Sequence, residues 1–210
     1  MFSTLPRDVT LRRLPRLGVG LLVFGAGVGL MVRSDLGLPP WDVLHQGIAM
    51  RTPLSMGLAT VATSFAVLAL WIPLKERPGI GTLANAVVVG LAIDLTLLLV
   101  APTPGMLARW SRLLGGLVLV AIGSGTYIGV RLGPGPRDGL MTGIARRGPS
   151  LRVARTGVEG GALLIGWLLG GTAGIGTLVF AVGIGPLVQI ALARLDLGVP
   201  RVDDPLTSGP

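Results

Sequence analysis

"PPWDVLHQGI" (residues 39–48) and "GPRDGLMTGI" (residues 135–144) are two copies of one polar turn, starting 96 positions apart in a largely apolar chain. In both copies a proline is followed two positions later by an aspartate, and a glycine-isoleucine pair closes the stretch. Proline suits the first turn of a helix, and a carboxylate there meets the positive end of the helix dipole. Each copy therefore predicts a short helix of about two to three turns that ends near its glycine, too short to cross a membrane.

The similarity between the two copies extends well beyond the turn. "GIGTL" occurs at residues 79–83 and again at 174–178, and three glycines upstream of the first turn have matches upstream of the second. Those glycines are Gly20, Gly27 and Gly29, matched by Gly116, Gly123 and Gly125. The sequence thus predicts an internal duplication that covers about residues 16–98 and 112–193.

The composition of the 210-residue chain is that of a membrane protein. Half of the residues are hydrophobic and 13% are charged, whereas about a quarter are charged in an average soluble domain. Six apolar runs approach the roughly 20 residues that cross a hydrocarbon core: approximately 15–33, 54–74, 80–101, 112–131, 156–171 and 174–194. We therefore predict a basic cytoplasmic N-terminus (1–14), a single six-span membrane domain (15–194) and a disordered cytoplasmic tail (195–210).

Three spans in each repeat is an odd number, so the second repeat must enter the membrane from the opposite side. The predicted fold is an all-α polytopic membrane protein with six transmembrane helices, arranged as two inverted three-helix repeats. Each repeat carries one short helix, either re-entrant or interfacial, and the two short helices belong to opposite membrane faces. Inverted repeats of this kind are typical of secondary transporters.

The distribution of charge predicts the orientation. The formal net charge is +8, and with a cytoplasmic N-terminus 14 of the 18 basic residues fall on the cytoplasmic side. This positive-inside bias predicts that both termini lie in the cytoplasm. It also accounts for the positive charge without a nucleic-acid partner and makes anionic lipid headgroups the expected partners of that face.

Four polar residues are the candidate substrate- or ion-binding positions. Asp94 lies well inside the third predicted span, and its repeat counterpart is Gln189 in the sixth. A charge at that depth is costly and should face the bundle interior, either in a site or in an interhelical hydrogen bond. Asp42 and Asp138 either cap the short helices or face a central cavity between them, where they bind or gate an ion or a cationic group.

Patterns that would indicate an enzyme are absent from the sequence. The chain has no cysteine and one histidine, His45, so a metal site would depend almost entirely on carboxylates. It has no "GxxxxGK[ST]" phosphate-binding loop. We therefore expect no catalytic residue, no metal site and no cofactor.

"LGLPPWDVLHQGI", "LGPGPRDGLMTGIARR" and the two copies of "GIGTL" resemble the YczE-like branch of the YczE/YitT-type family of bacterial integral membrane proteins, over about residues 15–195. The resemblance implies a multi-span inner-membrane protein of the kind often suspected of transport. Two interpretations stay open. The first is a small secondary transporter or exporter with a midplane site between the repeats, acting on an unknown small molecule or ion. The second is a non-transporting partner, a regulatory or substrate-capture subunit of a larger complex. A homodimer joined through the glycine-rich first and fourth spans is a further expectation.

Overall fold

The computed structural model describes residues 7–198, which form eight α-helices and no β-strand within that range. In chain order they are α1 (Arg7–Ser34), α2 (Pro40–Arg51), α3 (Met56–Leu74), α4 (Ile80–Leu99), α5 (Met106–Gly129), α6 (Pro136–Ala145), α7 (Leu151–Leu168) and α8 (Ile175–Leu195). The predicted tail lies almost wholly outside the described residues. Helix α1 begins at Arg7, so most of the segment predicted as a separate N-terminus is the first part of this helix.

Five helices in the described part of the chain are long and apolar enough to cross a membrane: α1, α3, α4, α5 and α8. The chain is therefore a polytopic helical membrane protein. Helix α7 occupies the place of the fifth predicted span, but its 18 residues include Arg152, Arg155 and Glu159. These charges lower its mean hydropathy, so the count of six spans rests on α7 and does not follow from apolar length alone.

The two short helices lie where the repeated turn predicts them, with Pro40 and Pro136 in their first turns. The prediction that Gly47 closes the first of these helices is wrong, because α2 continues to Arg51, whereas α6 ends at Ala145, two residues after Gly143. Gly47 instead lies at a helix contact, where an added Cβ would approach the carbonyl oxygen of Gly166 to 2.6 Å. A small residue is needed there because two backbones meet.

Helices α1 and α5 pack along each other at the centre of the bundle. An added Cβ on Gly27 would lie 2.7 Å from the carbonyl oxygen of Gly116, and one on Gly123 would lie 2.5 Å from the backbone nitrogen of Phe24. The matched glycines therefore allow close backbone approach inside the chain. This intramolecular contact uses the faces on which the homodimer prediction relied, and the homodimer itself stays a prediction.

Each half of the chain places a loop on the other half. The loop after α1 carries Gly37 at φ 118°, and the loop after α5 carries Gly133 at φ 127°. The backbone N–H of Gly176 donates to the carbonyl of Leu36 at 2.7 Å, and that of Gly81 donates to the carbonyl of Leu132 at 2.9 Å. Both donors belong to the "GIGTL" stretches, so these stretches are the sites where the opposite loops bind.

A candidate binding cavity between the two short helices

The first turns of α2 and α6 meet inside the bundle. Helix α2 contacts the beginning of α3, where His45 lies beside Thr60, and α6 contacts the end of α3, where Trp71 donates to the carbonyl of Pro136 at 3.0 Å. The two short helices therefore approach from opposite ends of α3. Nη2 of Arg137 lies 3.7 Å from Oδ1 of Asp42 at the meeting point.

A cavity of about 350 Å³ opens beside this meeting point. Its polar lining comes from both short helices and from α3, α4, α5, α7 and α8, and includes Asp42, Ser64, Asn85, Ser124, Tyr127, Arg137, Asp138, Arg155, Glu159 and Gln189. Its apolar lining includes Phe24, Val120, Phe180 and Ile184. Polar groups that converge in a cavity with apolar walls are typical of a small-molecule site.

The carboxylate of Asp42 is buried and paired. Its Oδ1 lies 3.1 Å from Nδ1 of His45, and the same nitrogen lies 3.1 Å from Oγ1 of Thr60. The Thr60 hydroxyl donates to the carbonyl of Met56 at 2.9 Å, so its oxygen can only accept from His45. This network assigns the imidazole proton to Nδ1. Asp42 therefore accepts from His45 and also faces the Arg137 guanidinium.

Asp138 has a different environment, although it occupies the equivalent position in the second turn. Its side chain is exposed and lines the cavity. The Tyr127 hydroxyl donates to its Oδ2 at 3.2 Å. No ion pair among residues 7–198 involves Asp138. The neighbouring Arg137 reaches Asp42 instead, and its guanidinium carbon lies 5.3 Å from the centroid of the Trp41 ring.

The structure brings three of the four predicted residues together. Asp42, Asp138 and Gln189 line the same cavity, and Asp94 does not. The Asp94 carboxylate accepts from the backbone N–H of Gly57 at 2.8 Å and from the Ser55 hydroxyl at 2.5 Å. Asp94 thus joins α4 to the beginning of α3 by interhelical hydrogen bonds whose partners are not its repeat counterpart Gln189.

The α3–α4 contact has no equivalent between α7 and α8. Gly57 and Gly90 bring α3 and α4 into backbone contact beside Asp94, whereas the repeat counterparts are Val153, Gly185 and Gln189. An atom added to Gly185 would meet nothing within 4 Å. Helices α7 and α8 both line the cavity without packing on each other, so the cavity opens between them. The ion pair of Arg155 and Glu159, at 2.9 Å, lies on the α7 side of this opening.

Tyr127 and Asn85 also line the cavity, although sequence reasoning did not select them. Tyr127 is the single tyrosine of the chain and lies in an apolar span, and Asn85 is a lone amide in "TLANAVV". Polar groups inside spans are the signal that was available for both. The described residues contain no group of three or more His, Asp or Glu side chains placed to hold a metal ion.

The fold and the cavity define the class of this protein. It is a polytopic helical membrane protein with a cavity, lined in part by polar residues, between two short helices. The chain belongs to the DUF6198 family, described as a family of unknown function, whose profile matches residues 11–192. The YczE-like resemblance is confirmed, because the chain is 32% identical to the uncharacterized membrane protein YczE of Bacillus subtilis, over 83% of each chain.

Two further relatives support this membership. An uncharacterized protein of Haemophilus influenzae is 43% identical over 82% of this chain and 79% of its own length. The uncharacterized protein YyaS of Bacillus subtilis is 30% identical over 77% of this chain and 83% of its own length. No solved structure matches the chain.

Proposed function

We propose that the protein is a small secondary transporter of the bacterial cytoplasmic membrane whose substrate binds in the cavity between α2 and α6. The observation that carries the proposal is the contact of Arg137 with Asp42, which puts the first turns of both short helices at one cavity. Discontinuous helices that meet near the midplane at a repeat interface are the usual substrate site of transporters built from inverted repeats. The proposal assigns no catalytic residue.

The different packing of the two halves supports alternating access. In the first half α3 is closed on α4 through Gly57, Gly90 and Asp94, while in the second half the equivalent helices α7 and α8 are apart. In inverted repeats, exchanging these two arrangements closes the cavity at one membrane face and opens it at the other. The described conformation then represents one of two access states.

The charge distribution supports the direction of the opening. With both termini in the cytoplasm, the parts of α7 and α8 that carry Arg155 and Gln189 lie towards the cytoplasmic face. The opening between these helices then leads to the cytoplasm, and the α3–α4 contact at Asp94 closes the external side. The arginine-rich cytoplasmic face is expected to contact anionic lipid headgroups.

Cysteine labelling tests the proposal without a known substrate, because the chain contains no natural cysteine. Ser64→Cys lies in the cavity, near the middle of α3, and should react with a membrane-impermeant methanethiosulfonate from either face in oriented vesicles. Ser111→Cys, exposed near the beginning of α5, should react from one face only. Reaction of Ser64→Cys from a single face under all conditions would contradict a transporter.

A non-transporting membrane partner is the second candidate, and the surface of α7 favours it. Atoms added to Gly157, Gly160 and Gly161 would meet nothing within 4 Å, so the helix presents glycines to the membrane. Such a surface allows close approach of another membrane helix. Purification in mild detergent should then recover a second membrane protein or an ATPase at fixed stoichiometry, and Gly160→Leu should abolish that recovery.

A further inference from the structure

We propose that the cavity binds a small organic cation with an apolar group, which enters sideways from the membrane between α7 and α8. This inference rests on the proposed function and adds the chemical class of the substrate and its path. Three observations carry it: an exposed carboxylate in the cavity, aromatic groups beside that carboxylate, and the separation of α7 from α8.

The charges that line the cavity do not balance. Asp42 faces Arg137 at 3.7 Å, and Glu159 is bonded to Arg155 at 2.9 Å, so two of the three carboxylates are paired. Asp138 is the third: it accepts from the Tyr127 hydroxyl and from the backbone N–H of Gly135, and it forms no ion pair within the described part of the chain, although Arg137 and Arg155 lie near enough to act on it electrostatically. An unpaired carboxylate within a membrane protein is costly, and a bound cation supplies the missing charge.

Aromatic rings beside this carboxylate favour an organic cation over a bare metal ion. Phe24 and Tyr127 both line the cavity and form an edge-to-face pair, with ring centroids 6.1 Å apart. Trp41 already accepts the Arg137 guanidinium on its face, so an aromatic face of this cavity does hold a cationic group. Ring faces attract ammonium and guanidinium groups, while apolar residues such as Phe180 and Ile184 suit an attached apolar group.

The entry path follows from the packing of α8. Ile184, Gly185 and Val188 line the cavity on α8, whereas Val182 on the same helix is 79% exposed and faces away from the bundle. Because α7 does not cover this stretch, the cavity meets the membrane along the side of α8. An amphiphilic cation that partitions into the bilayer reaches Asp138 by this path, passing the paired charges of Arg155 and Glu159.

Equilibrium binding in lipid nanodiscs tests the charge preference with three probes of similar size: phenyltrimethylammonium, its neutral isostere tert-butylbenzene, and benzenesulfonate. After subtraction of binding to empty nanodiscs, the cation should bind, and Asp138→Asn should weaken its affinity at least about tenfold. Asp35→Asn is the matched control, because Asp35 is an exposed carboxylate that pairs with Arg109 outside the cavity. Equal binding of the neutral or anionic probe, or unchanged affinity in Asp138→Asn, would overturn the proposal.

Two tryptophan variants test the path. Ile184→Trp should fill the opening and slow association of phenyltrimethylammonium about tenfold, whereas Val182→Trp, on the exposed side of α8, should leave the rate unchanged. Equal rates in the two variants would overturn lateral entry.

The two proposals can fail separately. Labelling of Ser64→Cys from both faces, with no binding of the cation, would support transport and exclude an organic cation as the substrate. Binding of the cation together with labelling from one face only would contradict transport and support the cation site.

Discussion

Arg137 of α6 contacts Asp42 of α2, with 3.7 Å between Nη2 and Oδ1, although Asp138 is its neighbour in the chain. The contact joins the two halves of the chain at corresponding positions. It also makes these positions different, because Asp42 has an ion-pair partner and Asp138 has none among the described residues. Asp42 is then a residue that holds the short helices together, and Asp138 lines the cavity without an ion pair.

Replacing Arg137 should lower stability. Arg137→Gln leaves Asp42 buried with His45 as its remaining partner, and we expect a loss on the order of 2 kcal/mol, between values for exposed and buried ion pairs. Thermal unfolding in nanodiscs measures this, with Arg137→Lys as the control that keeps the charge. Equal unfolding temperatures of Arg137→Gln and wild type would show that the contact does not hold α2 to α6.

Removing the Asp94 carboxylate should loosen the contact of α3 with α4, which the proposed function assigns to the external side. Asp94→Ala deletes the acceptor for Gly57 and Ser55, which weakens the closure of α3 on α4. We expect labelling of Ser64→Cys from the external face to rise several-fold, since about 1 kcal/mol shifts a two-state equilibrium about fivefold. Thr96→Val is the control on the same helix, because the described hydrogen bond of the Thr96 hydroxyl goes to Ala92 within α4. No difference between the two variants would exclude Asp94 from gating.

The loop glycines should be intolerant of a side chain. Gly133→Ala places a Cβ 2.8 Å from Oγ1 of Thr82 at φ 127°, and Gly37→Ala places one 2.7 Å from the backbone nitrogen of Gly174 at φ 118°. Each should cost more than about 2 kcal/mol, because positive φ and overlap act together. Gly148→Ala has a similar φ of 131° with nothing within 4 Å, so it isolates the backbone cost alone. Folded yield and unfolding temperature separate the three variants, and equal effects would rule out a packing role for the loops.

The ion pair of Arg131 and Asp196 should make stability depend on pH in acid. Two hydrogen bonds from the Arg131 guanidinium lower the pKa of Asp196 to about 2. Because folding lowers this pKa, the contribution is complete above the unfolded value near 4 and is lost as the pH falls towards 2. Both side chains are about a third exposed or more, so we expect less than about 1 kcal/mol. The unfolding temperatures of wild type and Asp196→Asn should differ at pH 6 and converge near pH 2, and a constant difference would exclude this pair as the cause.

The sequence predicted the parts of the site whose signals are local. Pro40 and Pro136 indicated where the short helices begin. Three of the selected polar residues line the cavity: Asp42, Asp138 and Gln189. Asp94 lies outside the cavity, because its partners Ser55 and Gly57 are at the beginning of another helix. Packing between helices decides which helix faces meet, and a single sequence does not show this.

The opening between α7 and α8 could not be predicted for a related reason. The duplication predicts equal packing of corresponding helix pairs, yet Val153 replaces Gly57 and Gln189 replaces Asp94 in the second half. One substitution removes the close backbone approach and the other removes the carboxylate that accepts from it. A weak internal repeat does not distinguish such changes from neutral ones.

The exchange of loops between the halves also sets the order of assembly during synthesis. The carbonyl of Leu36 accepts a hydrogen bond from the N–H of Gly176, which is synthesised 140 residues later. The first four helices are therefore made with this loop undocked, and the Leu36 carbonyl gains its donor on α8 only when that helix arrives. Neither half can be released as a finished unit, so a nascent chain truncated before α8 should be a substrate for membrane quality control.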